Sequence, residues 1–150
     1  MYTLEDAILL AVEAHRGQKD KAGVPYILHP LRMAFKMQTE TEMIVAVLHD
    51  VIEDTAVSLA NLRQAGFPSA VLEALDCLTR RENESYDAFI ARVKENPLAR
   101  KVKMVDLEDN LDIRRLKHLT ESDLKRLQKY LRAWKTITEP ADIKDYTGIT

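Results

Sequence analysis

Along this chain, apolar residues return at spacings of three and four almost from the start, the rhythm of helices that bury one face. Leu4, Ala7, Ile8, Ala11 and Ala14 form such a face behind Thr3, whose hydroxyl suits a helix N-cap. The stretch RGQKDKAGVPYILHP breaks the rhythm. Gly17, Gly23, Pro25 and Pro30 mark a loop there, and Pro30 fits the first turn of a second helix that runs to about Gln38. A third helix is predicted from about Glu40 to Ile52, and its unbroken run Met43 to Leu48 needs cover on most sides. It should be the centre of the fold.

Shorter segments follow. Ser58 to Ala65 reads as a helix stopped by Gly66, and Ser69 to about Leu78 as another, stopped by the polar TRRENES. Ser85 caps a further helix through Lys94, and Asn96 with Pro97 opens one that reaches about Leu116. Ser122 or Thr120 caps the last, which carries Leu124, Leu127, Leu131 and Trp134 as its apolar face. Pro140 ends the pattern, and the tail ADIKDYTGIT has no clear period. The expectation is an all-α bundle of about eight helices in a single domain over residues 1–150, with no strand, internal repeat, heptad or linker.

Composition narrows the picture modestly. A chain of 150 residues can bury a core without disulfides, and 46% hydrophobic with 31% charged residues is the balance of a soluble helical protein. The net charge of −2 supplies no field that would draw nucleic acid or a membrane surface. Charged residues interrupt every apolar run, and the start MYTLEDAILLAVEAH lacks the basic, then apolar, layout of a signal peptide. The sole cysteine, Cys77, between Leu75 and Leu78, fits a reduced cytoplasmic protein as a small packing residue.

The chemistry shows at HDVIED. His49, Asp50, Glu53 and Asp54 stand at the end of the most apolar helix, and spacings of three and four set them along one side of its final turn. Crowded carboxylates repel, and a helix C-terminus adds partial negative charge, so a divalent cation is the simplest remedy. The bland alternative is a solvated helix end. His29, between a proline-rich turn and a helix start, and Asp106, within the apolar VKMVDL, offer matching ligands. Two imidazoles and two carboxylates suit Mn²⁺, Fe²⁺ or Zn²⁺, and the lack of a thiolate points away from structural zinc and toward a hydrolytic metal.

AHRGQKDKAGVPYILHP, LHDVIEDT and VKMVDLEDN together resemble the successive motifs of the HD hydrolase domain in RelA/SpoT-type alarmone enzymes and their small single-domain relatives. The similarity runs from about residue 4 to about residue 135, and no synthetase domain is expected to follow. It implies that His29, His49, Asp50 and Asp106 bind one Mn²⁺, and that Glu53 and Asp54 orient and deprotonate the attacking water. The implied reaction removes pyrophosphate from the ribose 3′ position of (p)ppGpp and leaves GDP or GTP.

By the same resemblance, the loop after the first helix grips the nucleotide. Lys21, Arg16 and Lys19 are its candidate contacts, with Asn110 one turn after Asp106, and Lys103 three residues before it. Long alarmone enzymes commonly carry arginine where this chain has Asp20; short members often show the Asp-Lys pair seen here, and the missing cation bears on stacking against guanine. His15 reads as support for the pocket and Tyr26 as a packing residue that fixes the loop. Alternatives are the same metal centre acting on another nucleotide, such as the 2′-phosphate of NADPH, or a nucleotide-binding module without catalysis. A synthetase encoded nearby is the partner the resemblance suggests, and the oligomeric state is left open.

Overall fold

The structure, a computed structural model, describes residues 2–140. The aperiodic tail, 141–150, lies outside the described residues. The order is α1 (Leu4–Ala14), α2 (Leu28–Phe35), α3 (Glu40–Leu48), α4 (Val51–Asp54), α5 (Leu59–Gln64), α6 (Ser69–Leu78), α7 (Tyr86–Glu95), α8 (Pro97–Leu111), a 3₁₀ turn (Ile113–Arg115) and α9 (Glu121–Thr138). The all-α expectation holds, and among the described residues extended pairing is limited to an isolated bridge between Lys19 and Pro25.

Local chemistry sets the helix starts. Thr3, Thr39, Ser58 and Thr120 each accept the amide of the third helical residue and complete a capping box, while Ser85 and Asn96 cap with the side chain alone. Thr120, not Ser122, opens the last helix. Ile44 to Leu48 are all buried, and α3 packs against α1, α2, α6 and α8, the central position its apolar run demanded.

Three boundaries depart from the pattern. The second helix begins at Leu28, so His29 sits inside its first turn and not ahead of it. The predicted 40–52 helix divides at His49 and Asp50: the Ala46 carbonyl takes the His49 ring Nδ1 at 2.7 Å, competing with the backbone ladder. The helix expected to reach Leu116 stops at Leu111, because Asp112 turns to an extended conformation and its carboxylate accepts the Arg114 amide, closing the 3₁₀ turn.

The face of the last helix is a further correction. Leu124 and Leu131 are 49% and 45% exposed, whereas Asp123, Ala133 and Ile137 are buried. Of the expected face, Leu127 is half-buried and Trp134 packs against the core, while Arg126, Lys129 and Tyr130 turn toward cavities, so the repeat marks the buried stripe only in part.

Candidate metal centre

Two helices and a joint bring the site together. His29 comes from α2, His49 and Asp50 from the joint between α3 and α4, and Asp106 from the middle of α8. His29, His49 and Asp106 are buried and offer ligand atoms that all lie within 4.8 Å of one another. Asp106 Oδ1 is 3.0 Å from His29 Nε2 and 3.6 Å from His49 Nε2. Asp50 is outside that group of three but adjoins it, with Oδ2 at 3.0 Å from His49 Nε2 and accepting the Tyr26 hydroxyl. Tyr26 therefore does more than pack, although its ring also meets those of His15 and His29.

The remaining atoms of these residues are already committed. Asp106 accepts Lys103 Nζ at 2.7 Å and Asn110 Nδ2 at 2.9 Å. His29 Nδ1 meets Asp109 Oδ2 at 2.6 Å, and Asp109 is itself gripped by Arg32 through two bonds of 2.9 Å. His49 Nε2, by contrast, is a buried nitrogen without a hydrogen-bond partner, and its Nδ1 is spent on Ala46. An imidazole with one nitrogen engaged and the other directed at carboxylates fits a divalent cation, and the donor set is borderline in hardness.

The titration behaviour agrees with a cation-seeking cluster. Burial opposes charge on His29, yet Asp106 and Asp109 outweigh it and raise the imidazole above its ordinary value. Burial likewise opposes charge on His49, and Asp50 with Asp106 lifts it well above. Asp106 is held well below the usual carboxylate range despite its burial, by Lys103 and the two histidines, and His49 draws Asp50 down to about 2. The rings and the carboxylates thus favour opposite charges on one another.

Glu53 and Asp54 behave in the opposite way. Both are raised, Glu53 chiefly by partial burial and Asp54 by partial burial together with the negative charge of Asp50. One Glu53 oxygen accepts the Arg80 amide, and the Asp54 carbonyl accepts Gln18 Nε2 at 3.0 Å. Gln18 in turn meets His15 Nδ1 at 2.8 Å, so His15 supports the acidic turn from behind.

Two cavities flank the cluster. One, of about 190 Å³, is lined by Asp50, Glu53, Asp106 and Asn110, with Arg80, Lys103 and Lys129 supplying positive charge and Tyr86 and Tyr130 aromatic walls. The other, of about 70 Å³, is lined by Lys21, Tyr26, His29, Asn110, Arg115 and Arg126 among others. Of the candidate contacts, Lys21, Asn110 and Lys103 line these cavities; Arg16 is exposed and pairs with Glu13 at 2.5 Å, and Lys19 lies on the exposed loop bridge to Pro25. Arg126, Lys129 and Tyr130 were missed because each looks like ordinary helix surface in the sequence, and Arg80 because it lies in the polar segment that ends a helix. Arg32 and Asp109 were missed as well, although Asp109 follows Asp106 by three residues and so had to share its helical face.

No family model matches the chain. It is 32% identical over 121 residues to the guanosine-3′,5′-bis(diphosphate) 3′-pyrophosphohydrolase of Aquifex aeolicus, an alignment covering 72% of this chain and 17% of that protein. The chain belongs to the RelA/SpoT-type HD family. To the bifunctional (p)ppGpp synthase/hydrolase SpoT of Escherichia coli, another member, it is 39% identical over 82 residues, 51% of this chain and 11% of SpoT. The chain thus spans less than a fifth of these curated relatives. A solved structure described as a metazoan ortholog of SpoT that hydrolyses ppGpp superposes with a TM-score of 0.72 at 20% identity, over 90% of this chain and 85% of that one, so the HD-family fold is shared. No helix among the described residues is long and apolar enough to cross a membrane.

Proposed function

We propose that this chain hydrolyses (p)ppGpp at the ribose 3′-pyrophosphate, releasing pyrophosphate and GDP or GTP, with Mn²⁺ as its metal. The observation that carries the reading is the meeting of buried His29, His49 and Asp106 beside two carboxylates with raised proton affinity. His29, His49, Asp50 and Asp106 would hold the ion. When bound, it would act as a Lewis acid toward water and a phosphate oxygen.

The chain's own groups supply the rest. Tyr26 donates to Asp50 and Lys103 to Asp106, which keeps both carboxylates ionised and oriented. Glu53 and Asp54, with proton affinities above those of ordinary carboxylates, are suited to take the proton of the attacking water. Arg80 and Lys129, with Lys103 beside Asp106, bring positive charge into the larger flanking cavity, where a departing pyrophosphate would need it, while the smaller one mixes Lys21, Arg115 and Arg126 with Asp20 and Asp112. The substrate must be made by pyrophosphate transfer to a guanosine nucleotide, and a synthetase encoded nearby is the partner this reading favours.

The test is a hydrolysis panel. Purified chain with Mn²⁺, and with chelator, is offered ppGpp, pppGpp, NADPH and simple phosphate esters. Release of pyrophosphate from both alarmones, lost with chelator, is expected. Turnover of NADPH alone would move the substrate elsewhere, and no turnover of either alarmone would sink the proposal.

A further inference from the structure

Given the metal reading above, we infer that Asp109 and Arg115 form a positioning relay from His29 to the loop that bears Lys21. Asp109 is 3% exposed and lies one turn along α8 from Asp106. Its Oδ2 is 2.6 Å from His29 Nδ1, which leaves His29 Nε2 facing Asp106 at 3.0 Å. A carboxylate that accepts Nδ1–H fixes the tautomer and the ring orientation and makes the opposite nitrogen a better ligand. Arg32 locks Asp109 through two bonds of 2.9 Å, one to each oxygen, so the carboxylate cannot rotate away from the ring.

Arg115 extends the connection. Its Nη2 donates to the Asp109 carbonyl at 2.9 Å and to Oδ2 at 3.4 Å, while Nη1 reaches Asp20 Oδ2 at 3.2 Å. Asp20 organises its own loop: Oδ1 accepts the Ala22 and Val24 amides at 2.8 and 3.2 Å, and the turn closes at Gly23, whose φ of +84° is the left-handed conformation glycine tolerates. The aspartate that stands where the long enzymes commonly carry arginine therefore has a task of its own. One guanidinium shared by two carboxylates joins the loop to the ligand, and the early end of α8 at Leu111 lets Arg115 turn back to reach both.

Mn²⁺ titration of the whole chain by calorimetry tests this without reference to turnover. Asp109→Asn should lower Mn²⁺ affinity about 10- to 100-fold. Glu42→Gln, which weakens the 2.7 Å pair with Lys101 at the far end of α3, should lower thermal stability and leave Mn²⁺ affinity unchanged. Asp20→Asn, linked to His29 through Arg115 and Asp109, should lower Mn²⁺ affinity about threefold or more, and less than additively when combined with Asp109→Asn. Wild-type affinity in Asp109→Asn, or an equal loss in Glu42→Gln, would overturn the role of Asp109; wild-type affinity in Asp20→Asn would overturn the Arg115 link. Failure of the wild type to bind Mn²⁺ would overturn the metal reading itself and the relay with it. Should Asp109→Asn not fold, nitrogen-15 NMR of the Zn²⁺-loaded wild type decides: His29 protonated at Nδ1 is expected, and protonation at Nε2 would refute the relay.

Discussion

Lys103 Nζ and Asp106 Oδ2 lie 2.7 Å apart, the carboxylate buried and the lysine mostly so at the edge of the larger cavity, and Asp106 faces two histidines with its other oxygen. The carboxylate is the charge on which the centre converges. Removing it leaves a buried ammonium without its partner, a change that costs about 3–5 kcal/mol. Asp106→Asn should therefore lower the unfolding free energy of the metal-free protein by about that amount, measured by urea denaturation, and should also abolish Mn²⁺ binding.

Glu53→Gln keeps the shape of the side chain and its acceptor for the Arg80 amide while removing the base. Hydrolysis of ppGpp should fall about 10²- to 10⁴-fold with the dissociation constant for ppGpp changed little. Single-turnover kinetics beside equilibrium binding would show it, and unchanged turnover would remove Glu53 from the reaction.

The histidines make a pH prediction with a definite sign. His29 and His49 are raised above 6.5 in the folded chain, so their contribution to stability is complete below about pH 6.5 and is lost as pH climbs through the raised values. In chelator, the melting temperature should fall as pH climbs above about 6.5. Mn²⁺ competes with the same protons, so its affinity should rise over that window. A melting temperature that climbs with pH in chelator would contradict protonated rings.

Metal binding should also stabilise the fold. Mn²⁺ at about 100 times its dissociation constant contributes about 2.7 kcal/mol, equivalent to a rise in melting temperature of roughly 5–10 °C for a chain of this size. Differential scanning fluorimetry with and without Mn²⁺ checks this, and His49→Ala should erase the shift.

Lys129 stands 4.6 Å from the Tyr86 ring centroid and lines the larger cavity. Lys129→Met should raise KM for ppGpp about tenfold, the loss of one charge-assisted contact. The Mn²⁺ affinity of this variant should match the wild type.

Much of this arrangement was legible before any coordinates. The run Met43 to Leu48 could only be a central helix, and Thr3 and Ser85 announced their helix starts through side chains able to accept an orphan amide, as Asn96 with Pro97 did for α8. His49 and Asp106 stood out as ionisable groups in apolar settings, and His29 by its place between a proline-rich turn and a helix start. The joint at His49 escaped notice because periodicity registers apolar spacing, and cannot register a ring that takes a backbone carbonyl. Asp109 and Arg32 escaped because their significance lies in a contact between segments 77 residues apart. On α9, exposed leucines imitated a buried stripe while Arg126, Lys129 and Tyr130 turned toward the cavities.

That last helix contributes no member of the buried cluster, yet three of its side chains shape the flanking cavities. On the proposed function, choice of nucleotide would fall in part to a stretch of chain that holds none of the ion's ligands. Exchanging the surface of α9 between relatives should alter selectivity while sparing the inorganic core, which makes this helix the place to begin when redirecting the scaffold to a new phosphate ester.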